Sequence, residues 1–203
     1  MDPTAQTPSA ISWDHAWQQH TMALDRVTQR MHRIATALRQ AGVPYALVGG
    51  QAVALWVATR DPAAVRTTKD VDILIDRADL PKVRAAANSA GFEYFEALNV
   101  GMLLEHADPN PRQAVHLVWA DEKVRASDVH ATPAIDHYRQ SNENLAVVSL
   151  FDLVAMKLSA NRDQDRVHLR DLIGVGLVDR ALWQKLPADL QPLLDQLLAE
   201  AGF

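Results

Sequence analysis

The six residues D-V-D-I-L-I, Asp70 to Ile75, restrict the fold of this chain more than any other stretch. Their apolar character reads as a buried strand, yet two carboxylates stand one residue apart at its start. On a strand, side chains at i and i+2 share a face, so the spacing predicts Asp70 and Asp72 side by side, with Val71, Ile73 and Ile75 directed into the core. Two like charges that close stay ionised at low cost only when a cation or basic group lies between them. Hard oxygen donors at this spacing suit Mg²⁺ or Mn²⁺, and Mg²⁺ is usually held by one or two carboxylates together with substrate phosphates. Taken alone, the pair also fits two solvated aspartates at a strand end.

The segment before it narrows the choice. Y-A-L-V, Tyr45 to Val48, reads as a short strand running into Gly49 and Gly50, and a helix follows to about Thr59. Backbone N–H groups and the positive end of a helix dipole then converge on one point, and glycine lets a phosphate approach the backbone there. In isolation the glycine pair is equally a tight turn. Followed by the aspartate strand, it predicts one site with phosphate donors on one side and metal ligands on the other.

The rest of the chain frames this motif. Its 203 residues suffice for one domain with a substantial core and fall short of two full domains. Trp17, Leu24, Met31 and Leu38 recur every seven residues, with His20, Val27 and Ile34 interleaved. This predicts an amphipathic helix over 13–40, ended by Gly42 and Pro44 and packed against the body; too few heptads, without flanking charges, argue against a zipper. A polar start precedes that helix. Further helices are expected at 80–90 and from about Leu150 unbroken to Ile173, where Gly174 and Gly176 stop it. A weak strand pair falls in 92–104 and a clear strand in A-V-H-L-V-W-A, after which 120–146 reads mostly as loop. One or two helices, interrupted at Pro187, close the chain. The division expected is an N-terminal tail and helix (1–41), a core (42–148) and a C-terminal helical segment (149–203).

Composition excludes several functions. A net charge of −5 offers no global basic field for nucleic acid or an anionic membrane. With no cysteine there are no disulfides, thiolate metal sites or cysteine nucleophiles, which fits a reducing cytoplasm. The first residues lack the basic start and apolar core of a signal peptide. The longest apolar run is far shorter than the roughly 20 residues of a membrane span, so a cytoplasmic protein with no membrane partner is expected.

L-V-G-G-Q-A-V-A-L-W-V followed by R-T-T-K-D-V-D-I-L-I resembles the signature of the nucleotidyltransferase superfamily, the DNA polymerase β-like fold. The long gap and the R-T-x-K-D-V-D lead-in resemble the branch of AbiEii-type toxins and minimal nucleotidyltransferases. The resemblance spans roughly Tyr45 to Leu177. It implies an α/β (α+β) fold in which a mixed sheet is flanked by helices and a C-terminal helical part closes over the nucleotide. Within L-V-A-M-K-L-S-A-N-R-D-Q-D-R-V-H-L-R-D-L, counting about 100° per residue puts Lys157, Asn161, Gln164, Asp165, His168 and Asp171 on one helix face. That face is either solvated and laced with ion pairs or, as the same branch implies, turned to the cleft. There Lys157 would hold triphosphate oxygens, and Asp165 would order it or help the acceptor lose its proton. Arg162, Arg166 and Arg170 form a second stripe, either solvated or facing RNA. Arg66 either reaches a phosphate or pairs with Asp70.

One departure stands out. Where the superfamily places a third metal-binding carboxylate on a later strand, this chain has His116, with Asp121 and Glu122 just beyond. Imidazole is a poor Mg²⁺ ligand, but it can act as a base near neutral pH. The resemblance implies Asp70 and Asp72 as catalytic metal ligands, Gly49, Gly50 and Lys157 as nucleotide-binding residues, and Lys157 and Asp165 as further catalytic residues; from its place before the D-x-D Arg66 is a further nucleotide-binding candidate, and His116 is a catalytic candidate in place of the third carboxylate. The activity implied is Mg²⁺- or Mn²⁺-dependent transfer from a nucleoside triphosphate to a hydroxyl of RNA, protein or a small molecule, in a toxin setting with a protein antitoxin as partner. The alternative is a nucleotide-binding module without turnover.

Overall fold

A computed structural model describes residues 13–136, 138–140 and 144–202; the polar start of the chain lies outside them. The elements are α1 (Trp13–Gln40), β1 (Ala46–Val48), α2 (Gly49–Ala58), β2 (Val71–Ile75), α3 (Leu80–Ser89), β3 (Phe92–Ala97), β4 (Val100–Glu105), β5 (Val115–Trp119), β6 (Tyr138–Gln140), β7 (Ala146–Val148), α4 (Leu150–Ala160), α5 (Asp163–Gly174), α6 (Arg180–Trp183) and α7 (Gln191–Glu200). The strands form one mixed sheet in the order β3-β4-β5-β2-β1-β7-β6. β2 runs antiparallel to β1 and parallel to β5, and β1 runs parallel to β7. The mixed sheet flanked by helices is the expected fold class. No described helix is long and apolar enough to cross a membrane.

Register sets the two faces of the central strands. Val48 lies opposite Asp72, which lies opposite His116, so these three share a face. The other face carries Leu47, Val71, Ile73, Ile75, Val115 and Leu117, all buried. Helices α2, α4 and α5 pack against one another. Trp56 Nε1 donates to Val148 O at 3.0 Å and ties α2 to β7.

Three expectations change. The N-terminal helix has the expected bounds, but its apolar stripe is covered only from Val27 onward, while Trp13 and Trp17 stand 74% and 70% exposed. Among the described residues, the core buries this helix from Val27 on. Second, the helix expected to run unbroken to Ile173 is two helices: Asn161 adopts the left-handed conformation (φ 46°) and Arg162 is extended. Asparagine tolerates that conformation better than most residues, which makes it an end signal easily passed over. Third, the weak strand pair is a full hairpin whose two-residue turn, Leu98-Asn99, has positive φ at both positions. Glycine, the usual marker of such a turn, is missing.

The N-terminal helix is fastened by a buried charge. Arg30, 1% exposed, donates to Glu105 Oε2 through Nε (2.9 Å) and Nη2 (2.8 Å), and to Gln113 Oε1 at 3.1 Å. Burial raises the Glu105 pKa, but hydrogen bonds from Arg30 and Arg33 outweigh it and leave the carboxyl below its ordinary value. Removing one partner of a buried pair strands the other charge at a cost of about 3–5 kcal/mol. Glu105→Ala should therefore lower the unfolding free energy in urea by about that amount, and adding Arg30→Met should restore most of it. A double variant no more stable than Glu105→Ala would refute this account.

Candidate functional site

The site begins where β1 turns into α2. Gly49 has φ +64°, and a Cβ built there would lie 2.0 Å from Asp72 Oδ2, so both the turn and the neighbouring carboxylate require glycine. Val48, the residue before α2, supplies no side-chain cap to the first turn of the helix. The N–H groups of that turn thus receive no cap from the residue before it and lie beside the Asp72 carboxylate, an arrangement suited to an anion that binds together with a cation. A Cβ on Gly50 would meet Thr68 Oγ1 at 2.9 Å, and Gln51 Nε2 donates to Thr68 O at 3.2 Å. The segment leading into the aspartates thus lies close against α2.

Asp70 precedes β2 rather than belonging to it, and is exposed; Asp72 is inside the strand and half-buried. His116 Nδ1 lies 3.5 Å from Asp72 Oδ1. The Asp72 hydrogen bond raises the His116 pKa against an opposing effect of burial, with the charges of Asp72 and Asp70 adding to it.

The third wall comes from the junction of α4 and α5. Lys157, buried in the last turn of α4, donates from Nζ to Asp165 Oδ1 at 2.8 Å. Asp165 Oδ2 also accepts from Arg162 Nε (2.6 Å) and from the Arg162 backbone N–H (3.3 Å). Burial pushes the Asp165 carboxyl up, but the hydrogen bond from Arg162 and the Lys157 charge hold it below its ordinary value. One carboxylate thus balances two cations and leaves the trio with a single net positive charge. His168 is buried behind it, with Nε2 3.2 Å from Gln164 Nε2. Burial first, then the Lys157 charge, lowers its pKa to about 4.

These groups line one cavity of about 420 Å³. It brings together Gly49, Gly50, Asp70, Asp72, His116, Lys157 and Asp165 of the residues picked from sequence. Arg66 is not part of that lining. Its Nε donates to both carboxylate oxygens of Asp171 at 2.8 Å, so it pairs with neither a cavity group nor Asp70. Asp171 lies outside the lining while Gln164, Asp165 and His168 belong to it, so the expected single face divides. The arginine stripe divides too: Arg162 bonds Asp165, Arg166 bonds Asn161 and Arg170 bonds Glu200. Glu122 is taken by Arg77 and does not line the cavity, nor does Asp121.

Sequence reading missed Arg125, Asp128, His130 and Thr132, which line the cavity from the loop after β5. That loop has no periodicity, and its order comes from contacts distant in sequence. Thr132 Oγ1 donates to Trp119 O at 2.5 Å, and Ser159 Oγ on α4 accepts from the His130 N–H at 2.7 Å.

Among the described residues, no group of three or more His, Asp or Glu side chains is arranged to hold a metal. Two carboxylates without a third fit a hard cation whose other ligands are substrate phosphate oxygens and water.

Residues 3–173 match the profile of a family described as an uncharacterised nucleotidyltransferase. No curated protein matches. Among solved structures, the antibiotic-resistance factor ANT(2'')-Ia in solution is 14% identical with a TM-score of 0.52, over 87% of this chain and 96% of that one. An antigenic nucleotidyltransferase-like protein from Paracoccidioides brasiliensis is 18% identical with a TM-score of 0.54, over 87% and 88%. At these identities the likeness is one of fold.

The buried neutral histidine makes stability depend on pH. Between the ordinary value of 6.5 and about 4, the unfolded chain binds a proton at His168 that the folded chain does not. Stability therefore falls as pH drops through that window and is unaffected by this residue above it. His168→Asn should flatten the dependence of the urea midpoint on pH between 7 and 4.5; equal slopes in the two proteins would contradict the assignment.

Proposed function

Since the chain belongs to the nucleotidyltransferase family that its residues 3–173 match, we propose that it transfers a nucleoside monophosphate from a nucleoside triphosphate to an acceptor hydroxyl. The observation that carries this reading is the contact of Asp72 with the Gly49 turn at the start of α2, which puts carboxylate ligands and phosphate donors on one cavity. Residues 42–148 form the transferase core, 1–41 its N-terminal appendage, and 149–203 the helical part that closes the cleft.

Each residue has a defined task. The N–H groups at Gly49 and Gly50 hold phosphate oxygens of the triphosphate. Asp70 and Asp72 would hold Mg²⁺ or Mn²⁺, which would supply neutralisation of the phosphate charge. The acceptor oxygen bonds to the α-phosphorus while the bond to the bridging oxygen breaks, and pyrophosphate departs with that electron pair. Lys157 and Arg162, with one net charge after Asp165, stabilise the departing anion. His116, on β5 beside Asp72, receives the proton of the acceptor hydroxyl. Most of the rate gain then comes from positioning.

Three acceptor classes, RNA, protein and small molecule, fit this chemistry. The R-T-x-K-D-V-D lead-in and its likeness to AbiEii-type toxins support a toxin or stress role in the cytoplasm with a protein antitoxin. A second reading is favoured by His116 itself. The residue opposite Asp72 offers nitrogen where the superfamily offers a carboxylate, which supports a protein that binds nucleotide without turnover.

Both readings meet in one experiment. Each of four α-labelled nucleoside triphosphates is incubated with the protein, Mg²⁺ or Mn²⁺, and bacterial RNA, protein or small-molecule extracts. Transfer should occur and should fall by at least about 100-fold in Asp72→Asn, the scale expected on losing a group that stabilises developing charge. Absence of label with the natural protein, together with metal-dependent nucleotide binding and activity gained in His116→Asp, would select the second reading.

A further inference from the structure

The structure assigns a cation to the nucleotide's terminal phosphates that the sequence did not reveal: we propose that Arg125 binds them. This rests on the transferase reading above. The cationic side chains on the cavity wall are Lys157, Arg162 and Arg125. The first two share Asp165, and Arg66 is engaged with Asp171 away from the cavity. The Arg125 guanidinium has no hydrogen-bonding or ion-pair partner among the described residues, so its full charge is available to a ligand.

Its base is held while its tip is exposed. The Arg125 N–H donates to Asp128 Oδ2 at 3.1 Å, and its carbonyl accepts from the Asp128 N–H at 3.0 Å. Asp128 is itself 7% exposed, and the same loop is pinned to α4 through the bond from His130 N–H to Ser159 Oγ. A guanidinium on a fixed backbone loses less freedom on binding than one on a loose loop. Its planar fork matches a pair of phosphate oxygens, which an ammonium cannot do. The first turn of α2, uncapped by Val48, adds backbone N–H donors to the same cavity. Arg125 and these groups line the same cavity, so one bound triphosphate could meet both.

The test compares binding of a non-hydrolysable nucleoside triphosphate, pyrophosphate and the nucleoside monophosphate, with Mg²⁺ present, to the natural protein, Arg125→Ala and Arg125→Lys. Arg125→Ala should weaken the triphosphate and pyrophosphate roughly 10- to 100-fold, the range for losing charge-assisted hydrogen bonds, and leave the monophosphate unchanged. Arg125→Lys should fall between. The side chain is exposed, so the thermal midpoint without ligand should not move. Equal loss of all three ligands, or no loss, overturns the proposal while the transferase reading stands. Failure of the natural protein to bind any of them overturns both.

Discussion

The contact between the Asp72 carboxylate and the backbone of Gly49 is the constraint on which the rest of the site depends. With Oδ2 lying 2.0 Å from where a Cβ would be and φ at +64°, any other residue at position 49, just past β1, would strain the turn and displace the Asp72 carboxylate of β2. Those strands are paired through Leu47 and Ile73 in the middle of the core, where a shift would expose buried apolar surface. The sheet thus holds a charged side chain against a helix start. An isolated carboxylate in that position would repel an incoming phosphate. One that shares a cation with it draws the phosphate in.

The opposite wall works by partial neutralisation. Asp165 is almost fully buried and accepts from both Lys157 and Arg162, so the two cations are held at fixed places without being cancelled. A buried carboxylate with one cation would give a neutral pair, and one with none would be costly. Two cations on one carboxylate leave a positive surface that is already ordered. The neutral state of His168 follows from the same arrangement: burial and the nearby Lys157 both oppose a further positive charge.

Much of this was legible because it is local. The strand–glycine pair–helix order and the D-x-D spacing are contiguous patterns, and strand periodicity correctly put Asp72 on the face opposite Ile73. Asp70 was harder: it lies one residue outside β2, and strand ends are blurred in any reading of periodicity. The unbroken helix through Asn161 failed for a different reason. The residues on either side continue a helical pattern, and only the left-handed conformation at Asn161 breaks it. Asp171 pairs with Arg66, 105 residues away in sequence, which no spacing rule anticipates.

The sequence by itself determined the order of the elements, the family, the glycine turn and the pair of aspartates, because each is written in neighbouring residues whose physical demands are local. Tertiary structure decided which charges remain available. Arg66 is paired with Asp171, Lys157 and Arg162 share Asp165 and keep one net charge between them, and Arg125 lines the cavity from a loop ordered by Trp119 and Ser159. Such pairings depend on distances of a few ångströms between segments far apart in the chain, and Coulomb energy falls with that distance rather than with separation in sequence.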